Sequence, residues 1–173
     1  MQQFFLILTG MAFGAILLVV CKLMFDYRQL LTARLLSLLL LSAACYMVQP
    51  LAVDIFYFRL LLGIITMAGP ALFWMFASTL FQMSESQQKL HSGHYLGLGV
   101  CILLGTYQSF QSPAELDGSI IHIISLLVTA AVTIMGLLDV FRNWQSDLVE
   151  CRRFLRLSLS VTSGAFLLFI VVN

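Results

Sequence analysis

Charge is scarce in this sequence. Asp, Glu, Lys and Arg make up 10% of its 173 residues, and 61% are hydrophobic. A soluble domain is about a quarter charged and about half apolar. So much apolar surface cannot be hidden in one water-soluble core, and a mean hydropathy of +0.99 points to a membrane. A strong field of one sign is lacking too. The formal net charge is +1, which excludes a global attraction for nucleic acid. Cysteine is present without a pattern: Cys21, Cys45, Cys101 and Cys151 are far apart and form no CxxC. They read as small buried hydrophobes rather than a disulfide framework or a metal site. The N-terminal MQQFFLILTG has no basic stretch and opens a long apolar run. That argues against a cleaved signal peptide and for a first spanning helix.

Catalytic signatures are missing as well. There is no GxSxG, no HExxH, no phosphate-binding glycine loop and no paired intramembrane carboxylates. His122 and the serines of the last apolar segment permit an intramembrane serine enzyme on paper, but nothing specifies one. The chain is expected not to be an enzyme, and no cofactor is implied.

What the sequence does hold is a series of apolar segments. Crossing a hydrocarbon core of about 30 Å takes about 20 mostly apolar residues in a helix. Six segments approach this, near 4–24, 34–49, 55–81, 95–110, 120–141 and 154–172. The second and fourth are the shortest. Arg34 extends the second by reaching towards the interface. Short connections predict one all-α polytopic bundle over 1–173, held in a lipid bilayer. Eight of the nine basic residues fall on one side of such a bundle: Lys22, Arg28, Arg34, Lys89, Arg142, Arg152, Arg153 and Arg156. Only Arg59 falls on the other, with Asp54, Glu115 and Asp117. The basic side is predicted to be cytoplasmic, which leaves both termini outside.

Several patterns within the segments carry physical meaning. Gly10 and Gly14 form a GxxxG in the first segment, and Gly97, Cys101 and Gly105 a similar small-residue stripe in the fourth. Small residues let helices approach closely. Packing within the chain is the favoured reading, and a homodimer face the other. Pro70 sits inside the third segment, after Gly69. It has no N–H, so the Thr66 carbonyl loses its helical partner, and a kink or hinge at 69–70 is expected. The run from Asp54 to Gln82 would be ~43 Å long as a straight helix, so it must tilt, bend or protrude. In the fifth segment His122, Ser125, Thr129, Thr133 and Gly136 lie along one face. A polar stripe should face the bundle interior. It serves either as a small-ligand pocket or, as favoured here, as hydroxyls that bond backbone carbonyls and hold neighbouring helices. Ser158, Ser160, Thr162 and Ser163 add polar groups to the last segment.

Two interhelical stretches remain. His91 and His94 are three apart but lack further ligands for a metal. They read as interfacial histidines of a cytoplasmic loop, with no metal site. Ser84 to Gln87 has the form of a capping box. Residues 141–156, FRNWQSDLVECRRFLR, hold six of the seventeen charged residues. Trp144, Leu148, Cys151 and Leu155 form an apolar stripe there. Asp147 and Glu150 come early and Arg152, Arg153 and Arg156 late, which suits a helix dipole, and Glu150 can pair with Arg153. An amphipathic cytoplasmic elbow over 142–153 is expected.

Two stretches carry a resemblance. PALFWMFASTLFQ (Pro70 to Gln82) and NWQSDLVECRRFLR (Asn143 to Arg156) resemble parts of the membrane-embedded N-terminal region of bacterial AraC-type transcription regulators. The matching positions are Pro70, Ala71, Leu72, Phe73, Trp74, Phe76 and Ala77, then Trp144, Asp147, Leu148, Val149, Glu150, Arg152, Arg153, Leu155 and Arg156. The resemblance implies a sensor region in the inner membrane whose elbow passes a signal to a cytoplasmic DNA-binding domain. No helix-turn-helix segment follows Asn173 in this sequence, so the chain itself is expected not to contact nucleic acid, being either a truncation or a stand-alone sensor. A small transporter or channel subunit is the alternative reading.

Overall fold

The computed structural model describes residues 2–49, 56–80, 90–111 and 120–141, together with Ser158 and Val161. Five α-helices account for nearly all of them: α1 (Gln2–Asp26), α2 (Leu31–Val48), α3 (Phe56–Leu80), α4 (Ser92–Phe110) and α5 (Ile120–Phe141). In lipid a backbone must satisfy its own hydrogen bonds, so long apolar runs become helices. Four of the five are long and apolar enough to cross a membrane, the exception being α4. The sixth apolar segment (154–172), the 142–153 elbow and the capping box at 84–87 lie outside the described residues.

Helix α3 is the centre of the bundle. It packs against α2, α4 and α5, whereas α1 leans mainly on α2, and α4 and α5 touch only lightly. The sequence explains this place. From Ala68 to Ala77, α3 is small or apolar on every side, and all of these residues but Trp74 are buried. A helix apolar all round belongs in a core. Leu35 of α2 meets Ala68, Leu72, Met75 and Phe76 on one face. Ala71 meets Cys101 of α4 and Val132 of α5, and Phe73 and Ala77 meet Val140 of α5. The outward faces keep large apolar side chains exposed, among them Leu18, Leu96 and Leu127. Lipid tails can cover such a surface, and water would not.

Close approach depends on particular glycines. A Cβ at Gly105 would stand 2.7 Å from Cβ of Met67 and 3.1 Å from the Gly63 carbonyl oxygen. A Cβ at Gly136 would stand 2.8 Å from the Phe73 ring. The glycines of α1 behave otherwise. Among the described residues neither Gly10 nor Gly14 has a neighbour within 4 Å of an added Cβ, so no described helix packs closely onto them. Cys21 is likewise exposed, while Cys45 and Cys101 are buried.

Helix α3 runs unbroken through Pro70 from Phe56 to Leu80. The carbonyl freed by the proline finds a partner on another helix: Ser42 Oγ of α2 donates to the Thr66 oxygen at 3.3 Å. Gly69 allows this contact, since a Cβ there would stand 2.6 Å from Ser42 Oγ.

Candidate functional site

The polar groups of the bundle fall into two kinds. Most hydroxyls serve their own helix. Ser37 donates to Ala33, Thr106 to Ile102, Ser109 to Gly105 and Thr133 to Thr129, all at 2.8 Å. Such bonds hide a hydroxyl in apolar surroundings and leave nothing for a ligand. Of the α5 stripe, Thr133 belongs here. Ser125, Thr129, Thr133 and Gly136 are buried along the inner face, and His122, one turn earlier, is exposed.

A second kind of polar group joins helices, and the clearest case lies at the Leu80 end of α3. The indole Nε1–H of Trp74 donates to Asp139 Oδ2 of α5 at 2.9 Å. The same indole stacks on the imidazole of His94 of α4, with centroids 4.4 Å apart and ring planes 34° apart. Three helices thus meet on one side chain. Glycine makes room for it: a Cβ at Gly97 would come within 3.2 Å of the Trp74 ring, and one at Gly93 within 3.9 Å. These two glycines are four apart and share one face of α4, so the indole lies against the α4 backbone.

The expectation of two loop histidines needs correcting. His91 is exposed and caps α4, which begins at Ser92. His94 sits in its first turn and is 7% exposed. Its Nδ1 lies 3.3 Å from the His91 carbonyl oxygen. A carbonyl only accepts, so in the neutral ring Nδ1 carries the hydrogen and Nε2 is left as a bare lone pair. Nε2 is buried and has no partner among the described residues. A buried polar atom without a partner is uncommon and calls for an explanation. Asp139 is half-buried. It and Asp26 are the two acids among the described residues, and each lies in the last described turn of its helix. A carboxylate there requires a strong donor, which Trp74 supplies.

The other end of α3 holds Arg59. Its Nη2 donates to the Ser109 carbonyl at 3.2 Å, and its Cζ lies 5.9 Å from the Phe56 ring centroid. That arrangement caps the last turn of α4 with a cation. Arg59 Nη2 is thus held at the end of α4, while its Nε is buried with no partner among the described residues.

The assembled site contains an imidazole lone pair, an indole N–H and a carboxylate. Its ring contact and its hydrogen bond join three helices. No three potential metal ligands converge among the described residues. Of the sequence-derived candidates, Gly69 and Pro70 sit at the α2–α3 contact and the hydroxyl stripe at the α5 inner face. The structure brings neither group to the Trp74 cluster. Trp144, Asp147, Glu150, Arg152, Arg153 and Arg156 lie outside the described residues. Sequence reasoning missed Asp139 and the burial of His94. A lone acid within an apolar run was the available signal.

No family model, no curated protein and no solved structure shows significant similarity to this chain.

Proposed function

We propose that the chain is a non-enzymatic sensor-type domain of the bacterial inner membrane, comparable to the membrane region of AraC-type regulators. It crosses six times with its basic connections in the cytoplasm and both termini outside. A signal changes how α3, α4 and α5 pack at the Trp74 cluster, Gly69 and Pro70 give α3 a hinge, and the 142–153 elbow carries the change onwards. One observation supports this reading above the rest. The Trp74–Asp139 bond ties the first resembling stretch (70–82) to α5, the helix that leads directly into the second (143–156). The first stretch is thereby tied to the helix after which the second begins in sequence. A sensor needs two packings that a signal can weigh differently, and a hydrogen-bonded carboxylate in an apolar surround is a contact that is either made or lost.

The test is a fusion of the chain, through one added apolar crossing, to a cytoplasmic helix-turn-helix domain with its target promoter. D139N removes the charge but keeps an oxygen that can accept from Trp74. It should change basal transcription, and W74F should do so more strongly, at equal protein levels in the membrane. Unchanged transcription in both variants would overturn the sensing role. Reporter fusions at residue 90 and at the C-terminus should report opposite sides, and two cytoplasmic signals would overturn the six-crossing orientation.

A further inference from the structure

We infer that Arg59 binds the phosphate group of a membrane lipid, at the end of the α3–α4 contact where Phe56 meets Phe110. A guanidinium presents five N–H donors in one plane. One described bond uses them: Nη2 donates to the Ser109 carbonyl oxygen at 3.2 Å. Nε is buried and has no partner among the described residues. A buried donor on a charged group is more costly to leave unpaired than a neutral one, so this atom calls for an acceptor that the described bundle does not supply. The charge is equally unmatched. Arg59 is the single Lys or Arg among the described residues of α3, α4 and α5. The single described acid of these helices is Asp139, which is bonded to Trp74, about four turns further along α3.

The position of Arg59 favours an anion. It lies in the first turn of α3, which holds no acidic residue. A helix N-terminus carries partial positive charge, and its first N–H groups have no intrahelical acceptor. An anion is therefore favoured there, and a guanidinium in the same turn adds to the attraction. The Ser109 carbonyl anchors that guanidinium, but a carbonyl is neutral and leaves its charge in place. Among anions, phosphate suits the group best, because two parallel N–H groups can meet two of its oxygens. The bond formed is a hydrogen-bonded ion pair, and no covalent bond changes.

Depth favours a lipid as the source of the phosphate. Tyr57 and Tyr107 are both exposed at this end, and tyrosines of spanning helices gather at the level of the headgroups. Arg59 is half-buried, so its guanidinium stays within reach of the bilayer. The apolar half of a lipid finds a surface beside it. The Phe56 and Phe110 rings are exposed and stand 5.7 Å apart, and Arg59 Cζ lies 5.9 Å from the Phe56 ring centroid. Cation and rings together match a molecule with a phosphate at one end and a hydrocarbon tail at the other. The inference is independent of the sensing reading, which concerns the opposite end of α3.

The test uses the full chain in an uncharged maltoside detergent, with dioleoyl phosphatidylglycerol as the probe. Native mass spectra should show the phospholipid retained on the chain, and dioleoylglycerol, which has the same tails without the phosphate, should not be retained. R59Q should weaken retention by about tenfold or more, the scale of one charge-assisted contact. R34Q, which removes a cation in the first turn of α2 whose Nε already donates to the Arg28 carbonyl, should leave it unchanged. Nitrogen-15 spectra of the arginine-labelled, unaltered chain read the Nε–H of Arg59 directly and keep the test independent of whether R59Q folds. That resonance should move when phosphatidylglycerol is added. A resonance that stays in place, a folded R59Q that retains as much phospholipid as the parent, or equal retention of dioleoylglycerol would overturn the inference. Inorganic phosphate that moves the resonance as far as the lipid does at the same concentration would overturn the lipid as the source. The sequence also holds Asp54, Glu115 and Asp117. A lipid-free Arg59 resonance that moves when these three are replaced by their amides would show that one of the chain's own acids holds the guanidinium, and would overturn the site. None of these measurements involves Trp74 or Asp139, so the sensing reading stands or falls separately.

Discussion

On α4, Gly97, Cys101 and Gly105 are buried against α3. On α1, Gly10 and Gly14 meet no described residue. In sequence the two stripes are the same device, small residues every four positions. What separates them is the partner. The α4 stripe is filled by side chains of α3 that are built to enter it, with Trp74 over Gly97, Ala71 beside Cys101, and Met67 on Gly105. Helix α1 has α2 as its main neighbour, and its glycines turn elsewhere. A small-residue stripe grants permission for close approach. Whether it is used depends on a complementary ridge, and in a membrane dispersion between packed surfaces is what rewards the match.

The comparison can be broken most sharply at Gly105. Gly105→Leu sets a side chain against the Met67 Cβ and the Gly63 carbonyl, atoms at or in the backbone that cannot swing aside. Overpacking of this kind costs about 1–3 kcal/mol, and the upper end is expected, read as a large fall in the unfolding midpoint in detergent. Stability equal to the parent would show that α4 is not seated on α3 as described. Gly136→Ala is the milder case. Its new methyl meets the rim of the Phe73 ring at 2.8 Å and the Trp74 Cα at 3.2 Å. A ring edge can tilt, so the cost should fall near the lower end, about 1 kcal/mol. The accompanying shift of the α3 backbone should alter Trp74 emission even where the midpoint barely moves.

Much of this arrangement was legible in the sequence, for reasons that particular residues make plain. The third and fifth apolar segments, 55–81 and 120–141, each hold one described helix, α3 and α5, because an apolar run of that length is what a spanning helix requires. The fourth segment began too late. Its apolar run opens at Tyr95, whereas α4 opens at Ser92. Polar His91, Ser92, Gly93 and His94 were read as loop because hydropathy says nothing about backbone hydrogen bonding, and with them went the burial of His94. Pro70 announced a freed Thr66 carbonyl, but its donor, Ser42, lies 24 residues away on a helix whose placement is tertiary. Trp74 and Asp139 are separated by 65 residues. Nothing local links them, although a single acid in an apolar helix already demanded a donor.

Ser42→Ala probes that tertiary link at a smaller scale. It removes the one described donor to the Thr66 oxygen and leaves a proline-freed carbonyl in apolar surroundings. Hydrogen bonds between membrane helices average about 0.6 kcal/mol, so the midpoint should fall slightly. Ser42→Cys, which keeps a weak donor, should recover part of the loss. An unchanged midpoint in Ser42→Ala would mean that the carbonyl finds another donor and that Ser42 only fills space beside Gly69.

The smallest effect is expected where the stripe is unused. In the double variant Gly10→Leu with Gly14→Leu, the new side chains meet no described residue of the bundle. Glycine is a poor helix former and leucine a good one, so α1 gains slightly in intrinsic preference while no bundle contact is lost. The unfolding midpoint should therefore stay where it is, in direct contrast to Gly105→Leu. A clear fall would show that another surface of the same chain occupies the α1 stripe, and the difference between the two stripes would then be one of partner identity rather than of use.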